Sequence, residues 1–185
     1  MICLKNTLDN KKTLYIDGSG DFRPEKILTY LEKSSNHSDS ERINKYLKNI
    51  SYVRIYEPDS IFNILRRIRS LDVDCVVIDD LIILSLHSLR SKMRFEVRMF
   101  VRDMALLALV KKINIIFTNT IISRLEAMDS EPISYELFYN DLVRYVHVRG
   151  VLHKITENVI DCSFIYPKKL DAMKLHIGST RSFTV

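Results

Sequence analysis

The 185 residues are 46% hydrophobic and 28% charged, enough apolar mass for one domain with a sizeable core. The longest apolar stretches, 75–78 with 81–84 and then 104–110, are too short or too broken by Asp79 and Asp80 to cross a bilayer; residues 1–6 hold one Lys and no small-residue cleavage site, so neither a membrane span nor a secretory leader is expected. Formal net charge is +5, and Cys3, Cys75 and Cys162 lack any paired spacing, which argues for reduced thiols in an intracellular protein and against a disulfide framework or a zinc site.

In chain order, residues 12–17 read as a short buried strand ending in Gly18-Ser19-Gly20, and Pro24 and Glu25 suit the first turn of a helix carrying Ile27, Leu28 and Leu31. The Ser- and Asn-rich stretch 34–40 reads as a loop, followed by a short helix over 41–49 and an alternating strand over 51–55. Ile61, Ile64, Leu65 and Ile68 recur at helical spacing within 60–71. Residues 74–79 form an apolar run of strand length that ends in acid, the pattern of a parallel strand buried on both faces. From 92 to 112, apolar positions 93, 97, 100, 101, 104, 107 and 108 trace one long amphipathic helix, and 113–118 reads as another buried strand. Residues 124–141 are polar and acidic with Pro132 inside, hence loop or short helix, while 142–149 and 159–165 resume strand patterns. Strands alternating with helices predict an α/β domain with a mainly parallel sheet, finishing in antiparallel pairs.

The basic excess is concentrated. Between His87 and Lys112 stand Arg90, Lys92, Arg94, Arg98, Arg102, Lys111 and Lys112 against only Glu96 and Asp103. Residues 90, 94, 98 and 102 step by four, so where helical they wind slowly along one side. Such cations suit phosphate, although a solvated helix face has the same pattern.

The run Tyr15-Ile16-Asp17-Gly18-Ser19-Gly20-Asp21-Phe22-Arg23-Pro24-Glu25-Lys26 closely resembles the segment that follows the nucleotide-binding helix in RecA-type recombinases of eukaryotes and archaea. In matching order come a Walker B-like strand, Cys75-Val76-Val77-Ile78-Asp79-Asp80, and a long helix leading into Ile115-Ile116-Phe117-Thr118-Asn119. Residues 164–178, with Pro167, Ile177 and Gly178, resemble the family's final strand pair. The resemblance implies a single RecA-like domain over 1–185 with a truncated core, missing the P-loop strand and helix. None of the four glycines precedes Lys-Ser or Lys-Thr, so no phosphate-cradling run is present in the sequence. In the resembled segment the water-polarising acid falls at Ser19 and the phosphate-sensing Gln at Thr120. Asp79 and Asp80 are then a Walker B-like remnant, with Asp79 hydrogen-bonding the strand end, and no cofactor is expected.

The same resemblance places Arg90, Lys92, Arg94, Arg98 and Arg102 at the first DNA-facing loop and the helix after it, and Arg124 in the second. That second loop also holds Glu126, Asp129, Glu131, Glu136 and Asp141, a poor setting for phosphate, though Tyr135, Phe138 and Tyr139 offer rings for stacking on single-stranded bases. The function implied is that of a non-catalytic recombinase paralogue, nuclear, joined to another paralogue or a recombinase subunit and touching single-stranded or branched DNA. Two alternatives stay open: a shortened form of an ATP-dependent paralogue, and a scaffold whose basic stripe meets an acidic protein.

Overall fold

The computed structural model describes residues 2–34, 40–81, 90–124, 133–156, 159–167 and 173–176. They fall into two compact units, Met1–Tyr145 and Val146–Val185.

In the first unit β1 (Thr13–Asp17), β2 (Ile50–Arg54), β3 (Cys75–Asp79) and β4 (Asn114–Phe117) form a parallel sheet in the order β2-β1-β3-β4. The helices between them are α2 (Pro24–Ser34), α3 (Ser40–Leu47), α4 (Pro58–Ser70) and α5 (Arg90–Lys111). This is the expected α/β architecture with a mainly parallel sheet. Side chains alternate across a strand, so Tyr15 and its register neighbour Val77 face one way while Leu14, Ile16, Val76 and Ile78 face the other. Cys75 through Ile78 are all buried, as a strand covered on both faces requires.

On the Tyr15 face, Cys75 and Val77 pack in one apolar cluster with Cys3, Ile27 and Leu31. Cys3 belongs to α1 (Ile2–Leu8), a helix that the sequence reading did not anticipate; burial pushes its thiol up to about 11, so it stays protonated. On the opposite face the Phe100 ring of α5 meets Phe117, the register neighbour of Ile78, and Phe62 of α4 meets Phe100 edge-on. Ile61, Ile64 and Ile68 of α4 are buried, as are Val97, Phe100, Val101, Met104 and Leu107 of α5. The helical periods read from the sequence therefore mark the true inner faces.

Lys111 ties the two helices together. Its ammonium donates to the carbonyls of Ile68, Arg69 and Leu71, gathering the carbonyls at the carboxyl end of α4, where a cation is favoured.

Beyond β4 the chain departs from the expected loop. β5 (Ile121–Arg124) and β6 (Ile133–Glu136) pair antiparallel, then α6 (Tyr139–Leu142) makes one helical turn. The strand expected over 142–149 is not formed: Leu142 is buried at the end of α6, and a turn follows it. In the second unit, β7 (Arg149–Thr156), β8 (Val159–Tyr166) and β9 (Met173–His176) form an antiparallel sheet in that order. The alternation in 142–149 was a pattern too short to outweigh the packing of Leu142. Of the expected final strand pair, Ile177 and Gly178 lie outside the described residues.

Candidate functional site

Parallel sheets gather loops and polar groups at the carboxyl ends of their strands, and ligands of open α/β sheets bind there. Here that end holds Asp17 of β1, Arg54 of β2, Asp79 of β3 and the Thr118-Asn119-Thr120 segment after β4. Asp17 and Asp79 are register neighbours.

Asp17 is 1% exposed. One carboxylate oxygen accepts from the Gly20 amide at 2.6 Å and the Arg54 guanidinium at 2.9 Å; the other accepts from the Tyr52 hydroxyl at 2.9 Å and the Phe22 amide at 3.4 Å. Burial alone would raise its pKa, but the Gly20 amide, Tyr52, Arg54 and the Phe22 amide outweigh burial and hold the carboxyl below the usual range. The Gly turn is thus wound around a charged anchor. Gly20 sits at φ 87°, and a Cβ there would lie 2.8 Å from the Arg54 guanidinium. Only glycine combines that backbone with that approach.

Asp79 is held as firmly. Its carboxylate accepts from the hydroxyls of Tyr15 and Thr118, and its carbonyl accepts from the Gly18 amide and, at 3.2 Å, the Ser19 amide. Burial, with the bonded Asp79 beside it, pushes the Tyr15 phenol well above its usual range, so Tyr15 remains the donor. The Tyr15 ring also meets Phe22 at a tilt and Phe22 stacks on Tyr52, with ring centroids 4.5 Å and 4.9 Å apart, an aromatic column joining the two acids' hydroxyl partners. Asp80 accepts from the Thr120 hydroxyl. The Ser19 hydroxyl is used inside the turn, donating to Asp17 at 3.3 Å and accepting from the Asp21 amide at 3.2 Å.

Both Asp79 oxygens already accept protons, Ser19 is turned to its own backbone, and among the described residues no cluster of His, Cys, Asp and Glu has the geometry of a metal site. The reading of Asp79 as a strand-end hydrogen-bonding residue agrees with this geometry. What the sequence reading missed is Asp17, which lay inside the resembled segment but was given no role. The signal available was Arg54, which stands four residues before the Pro58-led helix as a charge in an otherwise uncharged strand.

The proposed DNA-facing cations divide. Arg98 donates from Nε to Asp141 at 2.7 Å, and Asp141, in α6, is buried. Arg102 forms an ion pair with Asp103 at 2.8 Å. Arg98 is therefore a strut between α5 and α6, and neither arginine is an unpaired charge. Arg90, Lys92 and Arg94 lie within the first turns of α5 rather than ahead of it, and Arg124 is the last residue of β5. The side chains of these four lie outside the described residues. So do Glu126, Asp129 and Glu131 of the second loop, while Tyr135 and Tyr139 are about half exposed.

No helix among the described residues is long and apolar enough to cross a membrane. No curated protein matches the sequence. Among solved structures, a crystal structure of the RadB recombinase superposes with a TM-score of 0.68, covering 95% of this chain and 79% of that one at 12% sequence identity, which is a likeness of fold. The family model for Rad51 matches residues 2–134, a span holding the Gly turn, all four parallel strands and α5. The chain belongs to the Rad51 family of RecA-type recombinases.

Proposed function

We propose that this chain serves homologous recombination and DNA repair as a non-catalytic paralogue in the nucleus, bound to another paralogue or recombinase subunit and contacting single-stranded or branched DNA. The observation that carries this reading is the closed network at the strand ends: Asp79 and Ser19, the groups nearest to a hydrolytic role, are consumed by Tyr15, Thr118 and the turn backbone. A serine hydroxyl so engaged is no general base. DNA contact is supported by the start of α5. Arg90, Lys92 and Arg94 stand there with no acid in the first turn, although the positive end of a helix macrodipole disfavours cations. An approaching phosphate would relieve that repulsion and release counterions.

Two titrations test the reading on the purified chain. Fluorescent ATP analogue should show no binding at micromolar concentration; binding with turnover would overturn the non-catalytic assignment. Three phosphate contacts predict a log-log salt slope of roughly −2 on single-stranded DNA, abolished with the affinity in R90A/K92A/R94A. No binding of wild type at low salt would favour a scaffold.

A second reading, a shortened form of an ATP-dependent paralogue, is favoured by α1. This helix packs against β1 with Cys3 and Thr7 buried, and the family match already runs from residue 2. Coding sequence upstream of Met1 that specifies Gly-Lys-Ser or Gly-Lys-Thr ahead of α1 would decide for it.

A further inference from the structure

The parallel sheet ends in two edges of different character. In β2, Ser51 and Tyr52 are exposed and Arg54 closes the strand, so that edge is polar. β4 reads Asn-Ile-Ile-Phe, and Ile115, Ile116 and Phe117 are only half-buried, whereas Cys75 to Ile78 of its neighbour β3 are buried throughout. Runs apolar at successive positions belong to strands inside a parallel sheet, with cover on both faces. Edge strands are commonly blunted by Lys, Pro or a bulge; β4 has none of these, and its shortness is its one protection.

The backbone of β4 is unpaired on one side. The Asn114 amide donates to the Asp74 carbonyl and the Thr118 amide to that of Ile78, each at 3.0 Å and each toward β3. Peptide groups alternate along a strand, so the Ile116 amide also points to β3 while the N–H and C=O of Ile115 and Phe117 point out of the sheet. Among the described residues no strand lies on that side, and every described strand already has its place in one of three sheets. Main-chain groups in this arrangement fit one kind of occupant, an extended segment that continues the ladder. The flanking layers state its chemistry. On one face Ile116 packs against the Cys3, Ile27 and Leu31 cluster, and on the other Phe117 meets Phe100. An added strand would prolong apolar layers on both sides, so its residues would be apolar at successive rather than alternate positions. A second copy offering the same edge across a two-fold axis would run antiparallel, against a sheet whose three pairings are all parallel.

We propose that the free edge of β4 is completed by a strand of the partner protein, a short run of consecutive apolar, β-branched residues hydrogen-bonded to Ile115 and Phe117. This rests on the paralogue reading above and names the surface by which that partner is held. Main-chain bonds would supply the affinity, and the two apolar layers would reject segments of alternating polarity.

A benzophenone amino acid at the exposed position 114 of the full chain, in its native source, identifies the occupant once the photo-crosslinked peptide is read by mass spectrometry. The expected product is an apolar run from another protein. Crosslinks to a second copy, to another part of this chain, to a segment encoded ahead of residue 1 or to a peptide of alternating polarity would each overturn the proposal. Amide exchange followed by NMR then reads the edge directly. In the isolated chain the Ile115 and Phe117 amides should exchange roughly tenfold or more faster than the Ile116 amide, and the crosslinked protein should slow both by a similar factor. Slow exchange at Ile115 and Phe117 without that protein would mean the edge is already covered, and would end the idea. I115P removes an outward N–H that has no strand partner, so melting should stay near that of wild type while co-purification of the partner falls about tenfold; I116P, which breaks the ladder to β3, should lower melting sharply. Should I115P fail to fold, the exchange and crosslinking results decide alone. A partner retained undiminished by folded I115P would overturn this edge and leave the paralogue reading standing. A wild-type chain that purifies with no partner would end both.

Discussion

Asp17 and Phe95 stand on opposite sides of the rule that apolar side chains go in and charged ones stay out. Asp17 is 1% exposed and Phe95 62%. For Asp17 the exception is resolved within the chain, because two amides, a phenol and a guanidinium replace the water that its carboxylate gave up. Among the described residues Phe95, Leu106, Leu109 and Val110 of α5 are left exposed. The comparison separates two kinds of exception: a buried charge with its bonds made is a structural anchor, whereas exposed apolar side chains are a common part of a protein surface and hold nothing in place.

The anchor can be broken first, and with the largest effect. D17N turns an amide N–H toward donors and removes the charge that Arg54 answers, which should cost roughly 3 kcal/mol, the usual scale for removing one partner of a buried ion pair; urea unfolding at pH 7 measures it. The same residue sets a pH limit. Its folded pKa lies below the value of about 3.9 expected when unfolded, so the unfolded chain takes up its proton first as pH falls. Its contribution is fully present above that unfolded value and is lost as pH drops through the folded one. Melting temperature should therefore decline more steeply below about pH 5 in wild type than in D17N; parallel acid limbs would remove Asp17 from the account.

R98A asks whether α5's charges belong with the anchor or with the outward face. Leaving Asp141 buried without its guanidinium should cost roughly 2 kcal/mol, with the salt slope of DNA binding unchanged. A stability equal to wild type with a shallower slope would return Arg98 to the DNA surface. The smallest effect is expected at the turn. G20A places a Cβ at positive φ against the Arg54 guanidinium and should cost about 1–2 kcal/mol; the backbone share of that loss should persist in the D17N background and only the share carried by the Arg54 contact should disappear.

Much of the fold was legible because it is written in local patterns. The apolar run ending in Asp79, the Gly turn before Pro24 and the period of Val97, Phe100, Val101 and Met104 each lie within one element, and the structure keeps them. The strand read over 142–149 failed because its alternation was weak and Leu142 found burial in a helical turn. Of the hairpin, β6 was hidden inside the polar segment 124–141, where pairing rather than hydrophobicity makes the strand, and β5 is a run of four residues too short to show a period. The outer stripe of α5 was legible in principle, since Leu106, Leu109 and Val110 are plainly apolar. The inner period alone places the helix, because one apolar face is normally enough.

By itself, the order of residues determined the family, the alternation of strands with helices and the gathering of cations between positions 90 and 112. Only the tertiary structure decided which charges are free. Asp17 meets Tyr52 and Arg54 across 35 and 37 positions, Arg98 meets Asp141 across 43, and Tyr15 meets Asp79 across 64. Periodicity reaches a few turns along a chain, but a carboxylate's partner is chosen by whichever elements the core brings together.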